Sequence, residues 1–233
     1  KLNIPIKPDE TLLFLDEIQA APFILAKLRY FYEENPRLHV IAAGSLLDFI
    51  LDDYEYSMPV GRIEFHYLSP MTFEEFLLAN NENKLQEFLN NLHFNDVIDN
   101  SIHNKLLDYL KLFIVVGGMP EAIRSYVEKK SLMESNIIKQ SILKTYENDF
   151  NKYKKRLDIS MIQNLFNKLP SQIGGKFKYS NIDSEEKAII IKKALDVLCK
   201  AKVIERIHHT SASGIPLRAQ KEDRYFKVLF FDV

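Results

Sequence analysis

The residues predict an α/β fold that passes into an all-α stretch and ends in a helix-and-hairpin segment. Three observations carry that expectation. Two short apolar runs, Leu12 to Leu15 and Leu38 to Ala43, flank a helically spaced segment. From Glu82 to Tyr153 apolar residues recur at three- and four-residue spacing. Beyond Leu157, helical patterns give way to two β-rich runs around a polar loop.

The first run, four apolar residues without a break, predicts a fully buried strand. Asp16 and Glu17 stop it where a strand meets a loop. In doubly wound sheets ligands bind outside the carboxyl ends of the strands, and in P-loop NTPases an apolar strand ending in Asp holds a nucleotide's magnesium ion. Asp16 fits that role, and Glu17 fits a general base that takes a proton from an attacking water. The same acids would also suit the N-terminus of a helix, through its dipole. Between Ala21 and Tyr32, Ile24, Leu25, Leu28 and Phe31 have the spacing of a crossover helix. Asn35-Pro36 turns the chain into the second strand, which ends at Gly44-Ser45. Ser45 is placed to bond a phosphate or the attacking water, or to cap a helix from Leu46 to Leu51. Ile63 to Leu68 predicts a third strand, opened by Gly61-Arg62 and closed by Ser69-Pro70. Arg62 is either a charge-stabilising arginine in phosphoryl transfer or the partner of Asp52, Asp53 or Glu55.

Met71 to Asn81 reads as a helix with Phe73, Phe76 and Leu77 on its apolar side. Four more follow, over Leu85 to Leu92, Ser101 to Val116, Pro120 to Lys129 and Ser131 to Asn148. Gly117-Gly118-Met119-Pro120 joins two of them, the glycines freeing the turn and Pro120 fitting a first helical turn. Lys152, Lys154, Lys155 and Arg156 read as a solvated helix end. Next come a helix through Ile159, Ile162, Leu165, Phe166 and Leu169, a turn at Gly174-Gly175, a short Lys-Phe-Lys-Tyr strand and a helix from Ser184 to Lys200. Strands at Val203 to His208 and Tyr225 to Phe231 complete a winged-helix order.

Leu-Phe-Leu-Asp-Glu-Ile-Gln, Ala-Ala-Gly-Ser-Leu-Leu, Val-Gly-Arg-Ile with Leu-Ser-Pro-Met-Thr-Phe-Glu-Glu-Phe, Val-Gly-Gly-Met-Pro-Glu-Ala and Tyr-Glu-Asn-Asp-Phe-Asn-Lys-Tyr occur in that order. Together they resemble the prokaryotic AAA+ superfamily ATPases of the AAA_14/DUF4143 type, which are similar to the archaeal ATPases. The resemblance runs along essentially the whole chain. It implies a partial P-loop NTPase (AAA+) parallel sheet over residues 1–81, a helical lid over 82–156 and a winged-helix-like domain over 157–233. It also implies ATP and Mg2+ as cofactors, with Asp16 on the metal, Glu17 as base and Ser45 as the phosphate sensor. Arg62 becomes a finger reaching a neighbouring subunit, hence a homo-oligomer. Such lids place an arginine directly after Gly-x-Pro; Glu121 stands there, and Arg124, one turn on, is the nearest substitute. No Gly-x-x-x-x-Gly-Lys-Ser/Thr loop precedes Leu12, and Gly175-Lys176-Phe177 lacks the magnesium-ligating hydroxyl. The expectation is a piece of a longer ATPase, lacking that loop and a nuclease-like C-terminal region, and inactive by itself. The alternative is a non-catalytic protein- or DNA-binding module with a degenerate ATPase half.

Composition sits at the globular average, with 46% apolar and 27% charged residues. A net charge of -1 does not select a nucleic-acid partner. The lone Cys199 excludes a disulfide framework and points to a reducing, cytoplasmic compartment. No apolar run approaches the ~18 residues of a membrane helix, and the histidines lack zinc spacing. Lys187, Lys192 and Lys193, with Lys176 and Lys178 before them and Arg218, Lys221 and Arg224 in the wing, could meet phosphates. Glu185, Glu186, Asp196, Glu222 and Asp223 are interspersed, which favours a protein partner there.

Overall fold

A computed structural model describes residues 5–44, 61–150 and 158–232. Ser45, the Leu46 to Leu51 helix, the carboxylates expected beside Arg62 and the Lys152 to Arg156 cluster lie outside the described residues. The chain divides into two compact units, Lys1–Tyr67 and Leu68–Val233.

In the first unit, β1 (Leu12–Leu15) and β2 (His39–Ala42) form a parallel pair connected through α1 (Phe23–Glu34). The apolar spacing of α1 places Leu25 in the interior, where it is buried with Ile18. The pairing sets Leu12 beside His39, Phe14 beside Ile41 and Leu15 beside Ala42. Side chains alternate faces along a strand, so Leu12, Phe14 and Ile41 share one face and remain about half exposed. Full burial of β1 was the expectation from its composition. A continuous apolar run reports β propensity, whereas burial on both faces requires a layer on each side. The third expected strand, Ile63 to Leu68, makes no ladder. It alternates correctly, but Glu64 and His66 pair with each other in solvent at 3.3 Å, and Phe65, Tyr67 and Leu68 are exposed. A strand exists only through a neighbour's hydrogen bonds, which periodicity alone does not provide.

The second unit begins with a reciprocal cap. The Thr72 hydroxyl accepts the Glu75 N–H at 3.3 Å while the Glu75 carboxylate accepts the Thr72 N–H at 2.8 Å, starting α2 (Phe73–Ala79). Then follow α3 (Asn83–Asn90), α4 (Asn100–Val116), α5 (Pro120–Lys129) and α6 (Leu132–Asp149). Asp99 and Ser131 cap α4 and α6 through the N–H groups of Ser101 and Glu134. The adjacent α2 residues Phe76 and Leu77 are both fully buried. Phe76 packs with Val116 and Ile123, and Leu77 with Leu85 and Leu106.

Glu82 ties α4 to the start of α3: its carboxylate accepts Lys105 Nζ and the Tyr109 hydroxyl, each at 2.7 Å. The Lys105 bond, then the Tyr109 bond, holds the Glu82 carboxyl below its ordinary 4.5. Burial, reinforced by the hydrogen bond to Glu82, pushes the Tyr109 phenol up to about 12. Stabilisation from Tyr109 is therefore complete below its ordinary value of 10.0 and is lost as pH rises toward about 12. That from Glu82 is complete above 4.5 and is lost as pH falls through the lowered value. Glu82→Gln is expected to bring Tyr109 part of the way down, read as an ultraviolet phenolate titration against a Tyr109→Phe reference. An unmoved Tyr109 titration would assign the whole shift to burial.

Gly117 closes α4 with φ 82° and ψ 179°, a conformation that side-chain-bearing residues avoid. Gly118 then accepts the Met71 N–H at 2.8 Å through its carbonyl and donates its own N–H to the Asp232 carboxylate.

The remainder comprises α7 (Ile159–Lys168) with a 3-10 turn at Leu169–Gln172, α8 (Tyr179–Ile182), α9 (Ala188–Lys200) and the antiparallel strands β3 (Ile204–Thr210) and β4 (Lys221–Phe230). The expected Lys-Phe-Lys-Tyr strand is reduced to one bond, from the Phe177 N–H to the Phe226 carbonyl at 2.9 Å, because Tyr179 already begins α8. Ile162, Leu165, Ile182, Ile191, Leu195, Leu198, Ile204 and Val228 are buried, and Phe177 stacks on Phe226 with ring centroids 5.3 Å apart. Burial pushes the Cys199 thiol up, away from the reactive thiolate. Among the described residues no helix is long and apolar enough to cross a membrane.

Candidate functional site

The carboxyl ends of β1 and β2 coincide. The Ala43 N–H donates to the Leu15 carbonyl at 2.9 Å, and the Ile18 N–H donates to the Ala43 carbonyl at 3.1 Å. The loop carrying Asp16 and Glu17 thus leaves β1 and returns to the end of β2, one residue before Gly44. Both carboxylates are exposed at this shared edge.

Local geometry accounts for the order of the two acids. Asp16 Oδ1 accepts the Glu17 N–H at 3.0 Å, which closes the turn behind the strand. Glu17 sits in the left-handed region at φ 51° and ψ 42°, an uncommon conformation for a residue with a Cβ. Its backbone begins the 3-10 turn Ile18–Ala20, and its carboxylate accepts the Gln19 side-chain N–H. Gln19 lies against Gly44, where an added Cβ would collide with the Gln19 carboxamide oxygen. Gln19 therefore lies between the Glu17 carboxylate and Gly44 after β2, a contact absent from the sequence-based expectations. Its signal lies in the Asp-Glu-Ile-Gln spacing, two positions beyond Glu17.

The remaining expected residues fall elsewhere. Ser45 lies outside the described residues. Arg62 is 3.2 Å from Glu33 on α1, which also pairs with Arg29 at 3.0 Å. Arg124 is exposed on α5 in the second unit, 4.0 Å from Glu128. The concave surfaces along α3, lined by Lys84, Phe88 and Leu92 or by Glu82, Leu85 and Ile102, include none of these side chains.

A family model described as an AAA domain matches residues 2–77. A second, described as a domain of unknown function (DUF8612), matches residues 107–233, more than half of the chain. Among solved structures, the Walker-type ATPase PABY2304 of Pyrococcus abyssi aligns over 94% of this chain with a TM-score of 0.54 and 17% identity. The chain spans 61% of that protein, and at this identity the likeness speaks for the fold. No curated protein matches. Residues 2–77 are thus similar to an AAA domain, and the Walker-type neighbour shares the fold.

Proposed function

The chain belongs to the DUF8612 family, and on that premise, joined to the AAA-domain match, we propose that the protein is an ATP-driven switch of the AAA+ type. Residues 1–81 supply the metal- and water-handling half of its nucleotide site, residues 82–156 a lid and residues 157–233 a winged-helix-like segment. The motif order that resembles the DUF4143-bearing ATPases supports the same reading. One observation carries it: Asp16 and Glu17 stand at a carboxyl edge common to two parallel strands, where α/β sheets bind ligands.

The acids suit the cofactors. Magnesium takes one or two protein carboxylates and fills its other positions with water and phosphate oxygens. A single exposed Asp16 fits that demand. With ATP bound, the ion would neutralise charge on the terminal phosphates. Glu17 accepts the proton of the attacking water, and Gln19 fixes the carboxylate that does so. Ser45, three residues beyond β2 in the sequence, would sense the γ-phosphate. Arg62 acts in trans in a homo-oligomer once it leaves Glu33, an exposed pair of a kind worth about 0–1 kcal/mol. Arg124 reports nucleotide to the lid. Residues 1–233 carry no Gly-Lys-Ser/Thr loop, and hydrolysis on this reading requires one in addition.

Asp16→Asn tests the metal role. Mg2+-dependent ATP affinity of the full-length protein is expected to fall by about 10–100-fold, the range for losing a metal-site partner. Nucleotide binding in the presence of a chelator should stay unchanged. An identical magnesium dependence in the variant would remove Asp16 from the site.

A further inference from the structure

The near-zero net charge conceals a division. Residues 1–150 carry 14 Lys and Arg against 23 Asp and Glu, whereas residues 151–233 carry 17 against 9. An acidic first part is thus followed by a strongly basic last third, the distribution associated with polyanion binding.

Folding concentrates part of that charge. α9 buries Ile191, Ala194, Leu195 and Leu198, so Lys192 and Lys193 face outward. The helix's one acid, Asp196, is neutralised by Arg206 of β3 at 2.6 Å. On the hairpin, Lys221 and Arg224 are exposed, as is Arg218 in the connecting loop. Asp223 is tied to Lys221 at 3.1 Å. The Lys221 hydrogen bond lowers the Asp223 carboxyl first, and His208 and Lys192 add to the effect, so the outer side of α9 and the hairpin share one field. Lys176 stands 4.2 Å over the ring of the exposed Tyr225.

The acids ahead of α9 are largely engaged with backbone. Asp183 accepts the N–H groups of Glu185 and Glu186 at 2.9 and 3.2 Å, and Glu186 accepts that of Lys187 at 2.8 Å. These amides precede α9, whose own first turn has no side-chain cap. The basic side chains themselves stand on the side of the helix and on the hairpin.

We propose that the C-terminal region binds duplex DNA, with α9 lying along a major groove and Lys192, Lys193, Arg218, Lys221 and Arg224 on the flanking phosphates. A helix about 10–12 Å across fits the ~12 Å major groove of B-form DNA, whereas that of A-form RNA is too narrow and deep. Cations on a groove-sized helix and on the hairpin packed beside it suit the phosphate strands that border a duplex groove. This inference is independent of the nucleotide site and survives its failure.

Fluorescence anisotropy of the full chain with a labelled duplex of two helical turns, between about 50 and 200 mM salt, tests it. The expected result is binding whose logarithm falls linearly with that of salt. Lys192→Glu with Lys193→Glu should weaken binding more than about tenfold at the lower salt and flatten the slope by about two, one per phosphate contact. Lys111→Glu with Lys144→Glu, an equal charge change on exposed positions of α4 and α6, should leave affinity within about twofold, as expected for lysines outside the contact surface. Should the first variant fail to fold by circular dichroism, the paired Lys→Gln change serves, with a loss about half as large. No binding at the lower salt, equal losses in both variants, or equal competition by single-stranded RNA would each overturn the proposal.

Discussion

Glu17→Gln is expected to lower kcat for ATP hydrolysis in the full-length protein by about 10²–10⁴-fold, the usual contribution of a general base, while ATP still binds. The amide is isosteric and can keep the contact with Gln19, so the left-handed turn at φ 51° survives and only the proton acceptor is removed. Phosphate release and nucleotide anisotropy on the same preparation separate the two effects. Turnover within a few-fold of the parent would reduce Glu17 to a residue that shapes the 3-10 turn. Loss of turnover together with loss of binding would indicate a damaged strand edge rather than a missing base.

Gly118→Ala should be among the most destabilising single changes in the chain. An added Cβ would lie 2.6 Å from the Met71 carbonyl oxygen and 2.7 Å from Asp232 Oδ2, below any real contact distance. The first neighbour is backbone and cannot rotate away. Gly118 also holds hydrogen bonds to both partners, so relief of the clash sacrifices them. A loss of at least about 2–3 kcal/mol in urea unfolding is expected, by overpacking and broken hydrogen bonds together. Repeating the change in an Asp232→Ala background distinguishes the two collisions: most of the loss should persist, because Met71 remains. A change within about 0.5 kcal/mol, the range of an ordinary surface substitution, would mean that the α4–α5 joint relaxes easily.

Hydrophobic spacing marks β1, β2 and the helices of the second unit other than α8 to within a few residues, because it records which side of an element is covered. It located Asp16 and Glu17 at a strand end for the same reason. Partners distant along the chain were not legible. Arg62 was read against nearby Asp52, Asp53 and Glu55, but the described structure sets Glu33 beside it, an acid on a helix that precedes the second strand. The Gly117-Gly118 turn was anticipated from backbone freedom, yet nothing in the local residues announced the carboxylate 114 positions away. Half-exposure of Leu12 and Phe14 escaped notice because an apolar run does not say how many layers cover it. The charge division lay in plain view and was hidden by summing the chain as one number. Ser45 lies outside the described residues, so its expected place opposite Asp16 is still a proposal.

The bond between Gly118 and Asp232 also bears on biosynthesis. During translation α2 to α5 emerge and can pair helix against helix through nearby contacts, which form rapidly. Their central bend, however, lacks its anionic partner until the 114 residues that separate Gly118 from Asp232 have also been made. Closing so long a loop is entropically late, so the helical layer must wait, incompletely locked, for β4 and the Asp232 that follows it.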